Sequence, residues 1–446
     1  MRRWLFGIFG IIALAMLGAW GGASIYSRGP NTLLGSDTIG ANPKLPSPRA
    51  QIIPTINVAP ALGWAPGRMP TAPVGFTVTR FAEGLKHPRW LYPLPNGDIL
   101  VAEASTRPSK AWGIAAFVQN RMQKDAGASG ASADRITLLR DADSDGVAEF
   151  SSVLLQNLNQ PFGMALSGGD LFVANTDELL VFPFHPGETT ITAPGRRILA
   201  LPHLEPDNGH WTRNVVLNPD GKKLYVSVGS SSNAGNRGPS AEERRADVLE
   251  ISPDGSDERI FASGLRNPVG MAFEPHTNAL WVTVNERDML GDDLVPDYLT
   301  RLVPNGFYGW PYSYWGDQLD PRIDPKDQRP DLVAKAIKPD YALGAHTASL
   351  GLLFYDAAMF PQRYRGGAFI AQHGSWNRRE HIGYKVVYLP FVDGHPAGPL
   401  EDFLTGFLDQ NENAQGRPVG LAVDHTGALL VADDVGGIVW RVAVSR

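Results

Sequence analysis

Residues 267–286 read NPVGMAFEPHTNALWVTVNE, from Asn267 to Glu286: two apolar runs of strand length, 268–273 and 279–284, separated by a polar turn. Two such runs joined by so short a connection form a β-hairpin. The same pattern returns five more times, as HPRWLYPLPNGDILVAEA from His87, QPFGMALSGGDLFVANT from Gln160, TRNVVLNPDGKKLYVSVGS from Thr212, ASLGLLFYDAAMFPQRYRGGAFIAQHGS from Ala348 and RPVGLAVDHTGALLVADD from Arg417. Asn96-Gly97, Gly168-Gly169, Asp220-Gly221 and Thr426-Gly427 supply turn dipeptides with a residue free to take positive φ. The copies recur about every 66 residues, room for four strands and long loops per copy. Six such units arranged radially predict an all-β fold, a six-bladed β-propeller. A pair of β-sandwiches would also show short alternating strands, but gives no reason for one hairpin to recur six times.

Composition agrees. The 446 residues include 48 Gly and 36 Pro, well above the roughly 12% of average usage, which excludes a helical bundle. A formal charge of -6 leaves no polycationic footprint, so nucleic acid is not an expected partner. With no cysteine, disulfides, thiolate catalysis and Cys-ligated metals are excluded.

Arg2 and Arg3 precede residues 4–27, which carry no charge and are long enough to span a bilayer. Residues 1–28 are therefore expected to be an uncleaved signal-anchor helix in the inner membrane, with the rest of the chain on the periplasmic side; cleavage would instead release it to the periplasm. Eight prolines between Pro43 and Pro73 mark residues 29–74 as a linker, either a stiff tether or a segment wrapped on the surface. The propeller is expected over residues 75–446, where strand-like alternation begins. Outside the N-terminus only an insertion around residues 111–124 reads as helix.

Propellers gather polar loop residues at one mouth of the central channel, so the residues before each hairpin are the ones to search. His210, in NGHWTRN, stands at a loop-to-strand junction where a neutral imidazole could take a substrate proton. Arg266 and Asn267 offer a planar cationic fork and an amide suited to a carboxylate-bearing ligand. The loop NERDMLGDD from Asn285 has acidic residues at 286, 288, 292 and 293, oxygen donors that suit a calcium ion. NGFYGWPY presents Tyr308, Trp310 and Tyr312, read as a substrate-facing aromatic wall or as core packing. DADSDG from Asp141, with Glu149 nearby, imitates the start of a calcium loop but lacks an acid at the twelfth position, where Ser152 stands; a tight polar turn and a structural calcium site are both compatible with it.

GLRNPVGMAF, the acidic loop, NGFYGWP, HGSWNR from His373 and RPVGLAV from Arg417, in that order, resemble the pyrroloquinoline-quinone-dependent sugar dehydrogenases of the soluble aldose dehydrogenase and L-sorbosone dehydrogenase-like branch. The resemblance spans roughly residues 75–444 and implies the same six-bladed propeller. It implies oxidation of an aldose or aldehyde sugar, with hydride passing to calcium-bound pyrroloquinoline quinone (PQQ) and electrons onward to a periplasmic or membrane acceptor. By position His210 corresponds to the family's general base. Arg266 and Asn267 correspond to residues facing the cofactor, and Gln160 and Arg417 to further polar contacts. The family's cofactor-contacting lysine falls at Asn377, with Arg378 beside it, and the calcium-ligating carbonyls fall at Asp288 and Met289. The chain departs from the pattern in having Gly209 where an acidic residue precedes the histidine, and Gly229-Ser230-Ser231-Ser232-Asn233 without an Asp-Gln pair. Two other functions fit a propeller: a non-catalytic binder of carbohydrate or protein, and a calcium-dependent lactonase.

Overall fold

The computed structural model describes residues 35–51, 54–110 and 112–445. Each recurring hairpin forms the first two strands of a four-stranded antiparallel blade. Blade 1 comprises Pro88–Pro93, Ile99–Glu103, Arg135–Arg140 and Phe150–Leu155; blade 2 comprises Met164–Ser167, Asp170–Ala174, Glu178–Pro183 and Arg196–Ala200. In blade 3 Val215–Leu217, Leu224–Val228, Asp247–Ile251 and Arg259–Ser263 are joined by Gly306–Phe307, which pairs in parallel. Blade 4 is Pro268–Phe273, Leu280–Val284, Pro296–Arg301 and Tyr341–Ala345, and blade 5 is Ser349–Phe354, Ala368–Gln372, Lys385–Leu389 and Glu401–Leu404. Blade 6 combines Pro418–Val423, Leu429–Asp433 and Ile438–Val444 with Phe76–Ala82, so its outermost strand comes from the start of the propeller and ties the ring shut.

The blades pack backbone to backbone around the channel. Counting three residues on from the start of each hairpin copy gives Gly163, Gly270, Gly351 and Gly420 in four blades. A Cβ on Gly351 would stand 2.1 Å from the Val419 carbonyl oxygen of the next blade, one on Gly420 2.6 Å from that of Arg89, and one on Gly163 2.3 Å from the Val215 nitrogen. These contacts leave no room for a side chain. Farther out, apolar clusters fill the spaces between neighbouring blades. One joins Trp281 and Leu299 of blade 4 to Phe354, Ile370 and Val387 of blade 5, all buried.

Part of the stretch expected as a linker belongs to the folded body. Ile39–Gly40 pairs with Tyr341–Ala345 at the edge of blade 4. The chain then crosses the mouth, with Gln51 N donating to Met289 O (2.9 Å), Asn57 N to Trp376 O (2.9 Å) and Leu62 N to Ala414 O (2.9 Å). Trp64 fastens it, its Nε1 donating to the buried carboxylate of Asp433 at 2.6 Å. That oxygen also accepts from Trp440 Nε1, while the other takes the backbone N–H groups of Arg417 and Gly436. The insertion in blade 1 does contain a helix, Ile114–Asp125, at the same end of the ring. Among the described residues no helix is long and apolar enough to cross a membrane. The signal-anchor expectation for residues 1–28 lies outside the described residues.

Gly351→Ala should destabilise the protein by about 1–3 kcal/mol or more, because the new methyl meets backbone that cannot rotate away. Gly130→Ala, where a Cβ would meet nothing within 4 Å, is the matched control and should be near neutral in the same thermal denaturation.

Candidate functional site

Because every inner strand starts at the same end of the ring, the residues at or just before the start of those strands converge. Arg89 of blade 1, Gln160, His210, Asn267, Ala348 and Arg417 all line one cavity of about 1350 Å³ at the mouth. The strap adds Ile56 and Val58 to its wall, and the blade 1 insertion adds Val118 and Met122. Trp211 and Trp376 supply indole surface.

His210 is held by its backbone surroundings rather than by an acid. Its Nδ1 lies 2.9 Å from the Ser230 carbonyl oxygen, an acceptor, so Nδ1 carries the proton and Nε2 keeps its lone pair. Burial, reinforced by the nearby Arg266 guanidinium, lowers its pKa to about 3. Gly209 explains why no carboxylate precedes it: at φ +67° a Cβ would come within 2.2 Å of Ser231 O. Gln160, also at positive φ, donates through Nε2 to Ser105 O at 2.8 Å.

The cations of the site differ in how they are balanced. Arg89 is ion-paired with the buried Asp434, which also accepts from His373 Nε2 at 2.8 Å. Arg266 spends its guanidinium on the carbonyls of Asn233, Asn285 and Glu286 and stands 3.5 Å from Asp288. Arg417 is buried, yet among the described residues no carboxylate lies within ion-pair distance of it. Its NH2 donates to the Tyr384 hydroxyl at 3.1 Å, the guanidinium lies 5.0 Å from that ring's centroid, and its Nε has no partner. On the lining of the same cavity the amide oxygen of Asn267 is buried and unpaired. A buried cation without a counter-charge and an unsatisfied polar atom are both expensive, unless a ligand brings anionic and hydrogen-bonding groups to them.

The acidic loop is largely neutralised from within. Asp292 pairs with Arg379 at 2.6 Å, Asp293 lies 3.7 Å from Arg378, and Asp288 Oδ1 is 3.2 Å from His346 Nδ1. His346 Nε2 faces a second acceptor, Gly291 O at 2.9 Å, so both ring nitrogens point at oxygens and its pKa is raised, chiefly through Asp288 against the effect of burial. Glu286 is buried, which pushes its carboxyl up to about 7. Only Asp288 of the four carboxylates lines the cavity. The Asp288 carbonyl takes N–H groups from Arg287 and Asn233, whereas the Met289 carbonyl takes one, from Gln51. Oxygen donors for a cation there are thus the Asp288 carboxylate, which it would share with His346 and Arg266, and the second lone pair of Met289 O.

Of the residues singled out by sequence, Gln160, His210, Arg266, Asn267, Asp288, Met289 and Arg417 meet at the cavity. Five do not reach it. Asn377 is fully buried behind the wall, accepting from Met289 N (2.8 Å) and donating to Thr55 O (2.7 Å), and so clamps the acidic loop to the strap. Arg378 is turned toward Asp292 O and Asp293. Tyr308 and Trp310 are core residues whose polar atoms end on Arg301 O and Asn233 O, so the aromatic wall expected from NGFYGWPY is packing. Tyr312 lies outside the cavity with them. The indoles that face the ligand space are Trp211 and Trp376, which adjoin the quoted His210 and stand inside HGSWNR. Arg89 and His373 were also missed, although Arg89 stands at the start of the first hairpin strand and His373 directly follows one. At the outer rim of blade 1, Asp141, Asp143, Asp145 and Glu149 cluster; their carboxylates cap backbone N–H groups of their own turn.

Since the His210 pKa is depressed below 6.5, the unfolded chain binds more protons than the folded one between about pH 3 and 6.5, and stability falls as pH drops through that window. His210→Gln should flatten this acid slope in denaturant titrations. Nitrogen NMR of the wild type should show a neutral Nδ1–H imidazole at pH 5.

A family profile described as TrAA12-like matches residues 70–296 and 315–445. A protein of Borreliella burgdorferi described only as uncharacterised is 30% identical over 299 residues, 65% of this chain and 77% of its own length. A pyrroloquinoline quinone-dependent pyranose dehydrogenase of Coprinopsis cinerea is 26% identical over 363 residues, covering 67% of this chain but only 48% of that one. An aldose sugar dehydrogenase of Escherichia coli is 30% identical over 179 residues, 36% of this chain and 44% of that protein. Among solved structures, the holo form of the C. cinerea pyranose dehydrogenase PQQ domain superposes with a TM-score of 0.66 at 22% identity, covering 87% of this chain and all of that domain; at this identity the likeness concerns the fold alone. With four-fifths of its length matched by the profile, around a six-bladed ring, the chain belongs to the TrAA12-like family.

Proposed function

We propose that this protein is a PQQ-dependent oxidoreductase that oxidises an aldose or a related aldehyde sugar in the mouth cavity. The observation that carries the reading is Arg417, a buried guanidinium with no carboxylate within ion-pair distance among the described residues, which lines the same cavity as the unpaired Asn267 amide oxygen, a cavity large enough for a planar tricarboxylate and a sugar ring. Family relatives that bear the names of PQQ-dependent pyranose dehydrogenase and aldose sugar dehydrogenase support it.

The residues present fit the quinone. Arg417 would hold one of its carboxylates, the Asn267 amide oxygen would accept from a donor such as the ring N–H, and Trp211 and Trp376 would flank the ring or the sugar. Calcium would be held by the Asp288 carboxylate and the Met289 carbonyl. Bound there, the quinone supplies a two-electron acceptor for hydride, and the cation polarises its carbonyl. The chain's own part is proton chemistry and positioning. His210 Nε2, unprotonated at neutral pH, takes the proton of the sugar hydroxyl as the adjacent C–H bond gives up its hydride and the carbon becomes a carbonyl. Ser230 O fixes the ring through Nδ1–H and stabilises the imidazolium that forms, the task an acidic residue would otherwise have. Burial, reinforced by the cationic neighbour Arg266, keeps the resting ring neutral.

Purified full-length protein loaded with PQQ and calcium should reduce an artificial dye in the presence of aldoses. His210→Ala should keep cofactor binding and lose about 10²–10⁴-fold in turnover. Arg417→Met should instead weaken cofactor binding by roughly 30-fold or more. Chelation should lower cofactor affinity, with calcium restoring it. Failure of the wild type to bind PQQ at all would sink the reading.

We also propose that the propeller lies on the periplasmic side of the inner membrane. The support is the sequence of residues 2–28, two arginines followed by an uncharged stretch. In spheroplasts of the producing cell, added protease should degrade the propeller without lysis; protection would place it in the cytoplasm.

A further inference from the structure

The blade 1 insertion carries a surface that the sugar-oxidising site does not use. Its helix, Ile114–Asp125, begins after Gly113, whose carbonyl accepts from Phe117 N. Trp112 and Phe117 therefore stand just before the cap and in the first turn, the two places where apolar side chains ordinarily staple onto each other. Here they are open to solvent: Trp112 is fully exposed and Phe117 is 71% exposed. Arg121 and Lys124 follow Phe117 on the same helical face, at four and seven residues' distance. Lys110 precedes Trp112.

Residues 104–134 hold four basic and two acidic side chains in a chain whose net charge is -6. Both acids are already paired, Asp125 with Arg121 and Asp134 with Arg107. Among the described residues Lys110 and Lys124 have no carboxylate within ion-pair distance. An exposed tryptophan and phenylalanine with two unpaired lysines and Arg121 near them in the chain are what an anionic bilayer surface takes up: the rings enter the headgroup layer and the ammonium groups meet lipid phosphates. A protein partner would ordinarily require a larger contiguous apolar face than two side chains provide. The patch also borders the cavity, since Val118 of the same helix and Ile56 of the strap line the mouth, and Ala61 N of the strap donates to Asp125 O at the helix end.

We propose that Trp112 and Phe117, flanked by Lys110, Arg121 and Lys124, form a lipid contact that seats one side of the cavity mouth on an anionic membrane surface. The contact is separate from any spanning segment and orients the mouth relative to the bilayer.

The chain has no cysteine, so Phe117→Cys carries a single environment-sensitive nitrobenzoxadiazole probe. The full chain is reconstituted into phosphatidylcholine vesicles with and without phosphatidylglycerol. In the anionic vesicles the probe's emission should shift to shorter wavelength and be quenched by nitroxide lipid. High salt and Trp112→Ser in the same background should each reduce that shift. A probe at Asp220→Cys, in a hairpin turn at the opposite end of the ring, should show neither effect. Absence of shift and quenching at position 117 overturns the proposal and leaves the patch to a protein partner. Equal effects at both positions overturn it as non-specific adsorption.

Discussion

The inner strands of neighbouring blades approach so closely that backbone meets backbone. At Gly351 and Gly420 the next blade's carbonyl oxygen takes the space a Cβ would need. This contact sets the radius of the channel and the register of the blades, so all six inner strands begin on one rim. The residue ahead of each strand is thereby delivered to a common cavity, whatever lies between in sequence. Gln160 and Arg417, 257 positions apart, face the same space for this reason.

In and around that space most of the charges among the described residues are compensated. Asp434 answers Arg89 and His373; Asp288 answers Arg266 and His346; Arg378 and Arg379 answer Asp293 and Asp292. Each pairing offsets the desolvation of the groups involved. Arg417, buried, has a phenol and its ring for company and no carboxylate among the described residues, so its charge is left for an anionic ligand. The neutral His210 belongs to the same balance. A second net cation next to Arg266 would raise the cost of burial, and the ring stays unprotonated. What would elsewhere be supplied by an acidic residue is supplied here by a backbone carbonyl, because the close passage of Ser231 past Gly209 admits no side chain.

The strap shows how a proline-rich stretch without its own secondary structure becomes part of a site. Its backbone N–H groups go to the loop carbonyls of Met289, Trp376 and Ala414, and Trp64 anchors it on the Asp433 carboxylate. It closes one side of the cavity, so the mouth is shaped by a segment far from the propeller's repeats.

The fold was legible because a hairpin is a local object. NPVGMAFEPHTNALWVTVNE and its five counterparts carry both strands and the turn within some twenty residues, and their number counts the blades. The site was legible where a functional residue sits at a fixed offset from such a hairpin, as Gln160, Asn267 and Arg417 do in opening their copies, or just ahead of one, as His210 does. The aromatic run at Tyr308, Trp310 and Tyr312 misled, since the exposure of an aromatic is decided by what packs above it: Tyr308 and Trp310 are buried, Tyr308 in the core of blades 3 and 4, and Tyr312 is half-buried away from the cavity. Asn377 and Arg378 misled for a related reason: polar side chains beside a cavity turn away when a loop backbone or a carboxylate on the far side satisfies them better. Trp376, one residue earlier, faces inward instead. Sequence by itself therefore determined the blades and the offsets, which rest on contacts between near neighbours. Only the tertiary structure decided which polar groups were left unpaired, because that depends on partners brought together by closure of the ring.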